Sequence, residues 1–270
     1  MNTLEFEPSA FRNWTVAYCQ LAYHMWVTEF RRQFGWSLTD MCYEWNGSYT
    51  TMYRAPSEHI EKLFHFVAEE SQNDPDYFER IAHEAEQESA DEATYFSSLQ
   101  ELDFTAVDSE KLKMLFQDFC AYVLPPMPKF FIVMYFPQAL ELHPEAQDKF
   151  KADNDRLIEA RGKIDKIAAP IGNMLTEKFG HAALARYGLD ISLARYLTLS
   201  EIESLFANTI DKEQLVDELS KRQRYCLIAG GEVVEMTIQD YLTSKGWRLV
   251  AESEPQQLQG SVAHSGSEKK

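Results

Sequence analysis

The spacing of apolar residues predicts a chain built mainly from helices. Between residues 8 and 33, aromatic and aliphatic side chains recur every three to four positions, which is the period of one buried helix face. This stripe comprises Phe11, Trp14, Tyr18, Leu21 and Met25. Gly35 follows it and is a residue that commonly ends a helix. We therefore predict a long first helix over residues 8–33.

Polar start signals and proline or glycine stops predict the remaining helices. Asp108 precedes Ser109-Glu110, and Thr198 or Ser200 precedes Glu201, which are arrangements typical of a capped helix start. Prolines 125, 126 and 128 interrupt the middle of the chain, because proline lacks a backbone donor. The other predicted helices start near Pro56, Asp74, Pro144 and Asp211, and a short one covers 238–245.

Two segments have the pattern of β-hairpins. One surrounds Asn46-Gly47 at about 41–53, and the other surrounds Gly230-Gly231 at about 224–236. Both dipeptides tolerate the positive φ angles of a tight hairpin turn. The predicted fold class is thus mainly α: a multi-helix body with two small hairpins over residues 1–250, followed by a flexible tail at 251–270.

Composition excludes several classes of function. The chain has 270 residues, 45% of them hydrophobic, and a net charge of −17, so it can bury a core but repels nucleic acid and anionic membranes. No charge-free stretch reaches the ~20 residues of a spanning helix, and the acidic start lacks a signal-peptide pattern. A cytoplasmic location is expected. The four scattered cysteines predict neither a zinc site nor disulfides, and no cofactor is indicated.

Acidic residues are concentrated in one half of the chain, which bears on where an anion could bind. Residues 69–118 contain 15 Asp or Glu and three Lys or Arg, whereas 149–224 contain 12 acidic and 13 basic residues. A phosphate-handling surface is therefore expected in the C-terminal half. Arg222 and Arg224 are the candidate phosphate ligands, since a guanidinium matches phosphate oxygens. The alternative is that they are surface arginines beside an edge strand.

The aromatic residues of the N-terminal region are candidates for a ligand pocket. Trp14, Trp26 and Trp45 could line an apolar site for a flat small molecule. Aromatic residues at helical spacing are more often core, and that alternative stays open.

Acidic residues and histidines at helical spacing raise a third possibility, a dimetal site. The two sets are Glu58, Glu61 and His65, and Glu79, His83 and Glu86. Each set lies along one helix face. Dimetal bundles place His three residues after Glu, as Glu-x-x-His, whereas the spacing from Glu to His is four in both sets here. A solvated acidic face is the alternative.

Short segments at the C-terminal end resemble a known family. These are Tyr196–Ile202, Leu219–Tyr225, the following Gly-Gly hairpin, and Gly260–Gly266. In this order they are similar to the connector of phosphoenolpyruvate (PEP)-utilising phosphotransferases, a family that includes phosphoenolpyruvate synthases, pyruvate phosphate dikinases and rifampicin phosphotransferase-like proteins. The resemblance implies a helical body that precedes a swivelling domain with a phosphorylated histidine. The family's Thr-Ser-His motif is absent from this sequence, and His264 lies in the lead-in segment, so no catalytic residue is assigned.

The resemblance implies a non-catalytic helical module that positions a substrate or connects domains in a PEP-utilising phosphotransferase-like system. Such a module is not expected to act as an enzyme alone. Its expected partners are a separate swivelling phosphohistidine domain and a small-molecule ligand. The alternatives are a stand-alone small-molecule or partner-binding helical protein, and a dimetal helical-bundle enzyme.

Overall fold

A computed structural model describes residues 3–36, 40–164 and 168–250. Within these ranges the chain forms ten α-helices, two short 3-10 helices at Pro144–Ala146 and Ile191–Tyr196, and one six-stranded sheet, which confirms the predicted mainly α fold class. The predicted tail at 251–270, including Gly260–Gly266 and His264, lies outside the described residues.

Both predicted hairpins are present, and they belong to one sheet. The strands are β1 (Glu5–Arg12), β2 (Cys42–Trp45), β3 (Thr50–Arg54), β4 (Cys226–Ala229), β5 (Glu232–Val234) and β6 (Arg248–Leu249). Strand β4 pairs antiparallel with β2, so the order across the sheet is β5-β4-β2-β3-β1-β6. Only the contact between β1 and β6 is parallel among these pairs. The sheet therefore brings the two ends of the described chain together.

The prediction that the first helix begins at residue 8 is wrong. Residues up to Arg12 form β1, whose backbone pairs with β3 from Glu7 opposite Arg54 to Arg12 opposite Thr50. The helical spacing of Phe11 is coincidental, because its side chain is 44% exposed. Pairing with β3, which follows more than 35 residues later, satisfies the backbone of this segment and overrides its local pattern.

Most helices begin near the predicted start signals, but the helix predicted to start near Pro144 begins at Lys151, and Pro144–Ala146 forms a separate 3-10 helix. Helix α1 runs through Val16–Tyr23, a π-helical segment at His24–Thr28, and Glu29–Phe34. Helix α2 comprises a π-helical segment at Ser57–Glu61 and Lys62–Asn73; it is followed by α3 (Tyr77–Gln100), α4 (Ser109–Val123), α5 (Met127–Glu141) and α6 (Lys151–Ile164). Helix α7 comprises Ala168–Asn173, a π-helical segment at Met174–Gly180, and His181–Arg186; it is followed by α8 (Leu199–Ala207), α9 (Lys212–Arg224) and α10 (Ile238–Ser244).

The sheet separates a large core from a small one. Cys226 and Ile228 of β4 pack into the large cluster beside the helices, whereas Leu227 and Ala229 pack into the small cluster beneath α10. This alternation follows from the two-residue period of a strand. Helix α5 lies in the large core, where its apolar residues Phe130 to Val133 are all buried. The helical body thus covers one face of the sheet, and α10 covers part of the other.

One continuous stretch, Ser109–Glu141, is long and apolar enough to cross a membrane by length and composition alone. It comprises α4, the turn at 124–126 and α5, and half of its most apolar window is buried inside the protein. A core helix passes the same test, so this stretch is weak evidence for a membrane.

Candidate functional site

A cavity of about 640 Å³ lies where the end of β1 and the start of α1 face helix α7. The polar and aromatic side chains of its wall include Arg12, Trp14, Tyr18, Thr176, His181 and Arg195. These residues come from three separate regions of the sequence, so the tertiary fold creates the site.

The turn between β1 and α1 is held by hydrogen bonds to neighbouring elements. The Trp14 carbonyl accepts a hydrogen bond from Thr50 Oγ1 of β3 at 2.9 Å, and Thr15 caps α1 by accepting from the Tyr18 amide. The Trp14 ring lies 5.6 Å from the Tyr18 ring. This anchoring places the indole and the phenol side by side on one wall of the cavity.

Arg195 is oriented by an aromatic ring and an amide. It lies on a 3-10 helix, Ile191–Tyr196, which Asp190 caps by accepting from the Ser192 amide at 2.9 Å. Its guanidinium sits 4.4 Å from the centre of the Trp45 ring and donates to Asn13 Oδ1. A guanidinium stacked on an aromatic ring is pre-organised, so it loses little conformational freedom when it binds an anion.

Helix α7 forms the opposite wall and is π-helical where it faces the cavity. A Cβ on Gly180 would come within 3.0 Å of Ala194 Cβ, so the glycine allows α7 to approach the 3-10 helix of Arg195. Thr176 lies in the Met174–Gly180 segment, and its buried hydroxyl has no hydrogen-bond partner among the residues described. Single π-helical turns occur frequently at functional sites.

The charge of the wall is opposite to that of the whole protein. Two arginines, Arg12 and Arg195, line the cavity together with one carboxylate, Glu177, although the chain carries a net charge of −17. Burial raises the pKa of Tyr18, so its phenol stays neutral and able to donate a hydrogen bond. This wall favours an anion with a flat ring that can stack on Trp14.

The three tryptophans predicted to share a pocket lie in different surroundings. Trp14 lines the cavity described above, and with Trp45 it borders a second void of about 10 Å³, which is about the size of one water molecule. Trp26 packs in the core instead, with its ring 4.9 Å from Phe131 and 5.6 Å from Tyr135.

Arg222 and Arg224 occupy different environments. Arg222 is 8% exposed, and its two terminal nitrogens donate to both carboxylate oxygens of Glu201 at 2.6 and 2.9 Å. Arg224 is exposed at the end of α9. A groove beside Arg222 also contains Glu218, Glu235 and Asp240, which oppose phosphate binding there.

The four glutamates of the predicted dimetal site pair with basic residues or with a histidine outside the predicted set. Glu79 and Glu86 both accept from Arg156, Glu61 lies 3.1 Å from a ring nitrogen of His143, and Glu58 pairs with Lys62. Within the described ranges no group of three or more His, Cys, Asp or Glu side chains is arranged to hold a metal ion.

Arg12, Thr176, His181 and Arg195 were not selected as site residues from the sequence. Arg12 was assigned to a helix, and the others lie far from it in the sequence. A usable signal was the position of Arg195 in the half of the chain where basic residues balance acidic ones.

Comparison with known protein families, curated proteins and solved structures found no match to this chain. The cavity is therefore the basis for a functional assignment.

Proposed function

We propose that this protein is a helical small-molecule-binding body whose ligand is a flat anion held between Arg12, Arg195 and Trp14. The observation that carries the proposal is the concentration of two guanidinium groups and an indole around one cavity in a strongly acidic chain. The guanidinium groups would bind the anionic group, and Trp14 would stack on the ring.

This assignment agrees with the substrate-positioning role implied by the resemblance to PEP-utilising phosphotransferases. In that role the chain would hold a substrate for a separately supplied swivelling domain with a phosphohistidine, and would not transfer phosphate alone. The exposed Arg224 stays a predicted docking residue for that domain's phosphate. The anion-binding cavity supports the positioning role, and it serves equally well in a stand-alone binding protein.

Binding should depend on the charge of the ligand and on the two cavity arginines. Naphthalene-1-sulfonate is expected to bind, whereas its neutral analogue naphthalene-1-sulfonamide should bind much more weakly. Arg12→Gln and Arg195→Gln should each weaken sulfonate binding by about tenfold, as expected for the loss of one charge-assisted hydrogen bond. Isothermal titration calorimetry measures all four affinities.

Arg224→Gln provides the matched control, because it removes an exposed arginine that does not line the cavity. Its sulfonate affinity should stay within about twofold of the parent. Equal binding of the sulfonate and the sulfonamide, or unchanged affinity in both cavity variants, would refute the proposal.

Filling the cavity should abolish binding without unfolding the protein. A Cβ on Gly172 would lie 3.8 Å from Tyr18 Cδ2, which is an ordinary contact, and Gly172 lines the cavity. Gly172→Leu should therefore place its side chain in the ligand's space and lower sulfonate affinity by more than about tenfold. Gly162→Leu is the control, because this helical glycine is exposed and a Cβ there meets no atom within 4 Å. Equal affinity of the two leucine variants would place the ligand elsewhere.

A further inference from the structure

The cavity continues along helix α7 into a second compartment of about 450 Å³. Glu177, His181 and Ile191 line both spaces, so the compartments adjoin at these three residues. The second compartment is bounded by the loop that joins α3 to α4 and by the last turn of α7.

The second compartment is more apolar than the first. Leu102, Phe104, Ala182 and Ala185 contribute to its wall, together with the shared Ile191. Leu102 is 37% exposed and Ile191 is 47% exposed, so apolar side chains of this groove contact solvent. Burying such surface under an apolar ligand group is favourable.

Lys178, Asp103 and Thr105, three of the polar residues of the second compartment, have hydrogen-bond partners within the protein. Lys178 Nζ donates to the Gln100 carbonyl at 3.1 Å, and Asp103 Oδ1 accepts from both the amide and the hydroxyl of Thr105. These groups can remain hydrogen-bonded when an apolar group covers the compartment.

The compartment is also held in shape by Arg186. One terminal nitrogen of this arginine donates to the carbonyls of Phe104 and Val107, which ties the loop to α7. The ring of Phe104, in this loop, lies 5.1 Å from the ring of Phe179, which is a buried residue of α7. A groove that exists before binding requires little ordering of the protein by its ligand.

The length of the groove can be estimated from α7. Asn173, Glu177 and His181 line the first compartment and Ala185 the second, and these positions recur every four residues along one helix face. At 1.5 Å per residue, the stripe from Asn173 to Ala185 spans at most ~18 Å. This length exceeds that of a single ring with an anionic group.

We infer that the ligand is an elongated aromatic anion with an apolar arm. This inference rests on the proposed function: the anionic ring lies between Arg12 and Arg195. The arm passes His181 and covers Leu102 and Ile191. The second compartment would then favour anions that carry an apolar arm over anions that bind equally well in the first compartment but lack the arm.

Two ligands test this inference: naphthalene-1-sulfonate and a derivative that carries an apolar arm. Their affinities are measured by calorimetry or by dye fluorescence. 5-Anilinonaphthalene-1-sulfonate has the ring and anion of naphthalene-1-sulfonate and adds an apolar phenylamino arm on the ring that does not carry the sulfonate. It should bind at least about tenfold more tightly than naphthalene-1-sulfonate. Leu102→Ser should reduce this advantage by about fivefold and leave the affinity for naphthalene-1-sulfonate unchanged, because Leu102 lines the second compartment and not the first.

Leu142→Ser is the matched control, since Leu142 is 57% exposed and lines neither compartment. It should not change the affinity of either probe. Circular dichroism and urea unfolding of each variant verify that a change in dye binding is not caused by partial unfolding.

The outcomes separate this inference from the proposed function. If naphthalene-1-sulfonate binds and depends on Arg12 and Arg195, but the arm adds no affinity or Leu102→Ser has no effect, the elongated ligand is refuted while the anion site stands. If neither probe depends on the two arginines, the proposed function fails, and this inference fails with it.

Discussion

Replacing Glu92 with methionine is expected to stabilise the protein and to remove much of its pH dependence near neutrality. Glu92 is fully buried on α3, and neither carboxylate oxygen has a hydrogen-bond partner among the residues described. Burial, with a smaller contribution from the charge of Glu88, raises the pKa of Glu92 to about 8. The folded protein therefore keeps a proton that the unfolded chain releases near pH 4.5.

The sign of the pH effect follows from this difference in proton binding. Below pH 4.5 the Glu92 carboxyl is protonated in both the folded and the unfolded state, so its burial destabilises the folded state least there. As the pH rises from 4.5 to about 8, the free energy of unfolding falls by up to about 1.4 kcal/mol per pH unit, because only the unfolded state releases the Glu92 proton. At pH 8 the accumulated loss is about 4 kcal/mol, so Glu92→Met should raise the free energy of unfolding by about that amount at pH 8 and by less at pH 4.5.

Urea unfolding of the parent and of Glu92→Met between pH 4.5 and 8 measures this effect. Glu101→Gln, which alters an exposed carboxylate directly after α3, is the control and should follow the parent curve. Parallel curves for Glu92→Met and the parent would show that Glu92 is ionised in the folded state.

Replacing Arg222 with methionine is expected to destabilise the fold by about 3 kcal/mol, as is typical when one partner of a buried ion pair is removed. The arginine binds both oxygens of Glu201 and also donates to the Tyr196 carbonyl at 3.1 Å. Without Arg222, the Glu201 carboxylate would remain largely buried with only its helix-cap hydrogen bond to the Thr198 amide.

A double variant separates the ion pair from simple loss of packing. Glu201→Gln keeps an oxygen for the Thr198 amide and removes the charge. If the ion pair is the cause, Arg222→Met combined with Glu201→Gln should be more stable than Arg222→Met alone by about 1–2 kcal/mol. Urea unfolding at pH 7 measures the four free energies. A double variant no more stable than Arg222→Met would assign the loss to packing or to the Tyr196 contact.

The ion pair also explains why the sequence was a poor guide to Arg222. A Lys-Arg-Gln-Arg run before a hairpin has the appearance of an exposed basic surface, and Arg224 does have that exposure. Arg222 instead faces α8, which begins more than 20 residues earlier, and its guanidinium neutralises the capping glutamate of that helix. Only the packing of α9 against this region determines which arginine is buried.

Helix starts were predictable because their causes are local. Asp108, Thr198, Asp211 and Thr237 each accept a backbone hydrogen bond two or three residues further on, and these contacts depend on neighbouring residues alone. The hairpin turns at Asn46-Gly47 and Gly230-Gly231 were predictable for the same reason, since all three glycines take up positive φ angles there.

The sequence by itself therefore determined the mainly α composition, the helix caps and the two hairpin turns. The tertiary structure decided that residues 5–12 form a strand, because β3 supplies its hydrogen-bond partners. It also decided that Arg12, Thr176 and Arg195 surround one cavity, whereas Trp26 lies in the core. Local preferences act over a few residues, but a binding site requires groups far apart in the chain to meet, and long-range packing alone specifies which ones do.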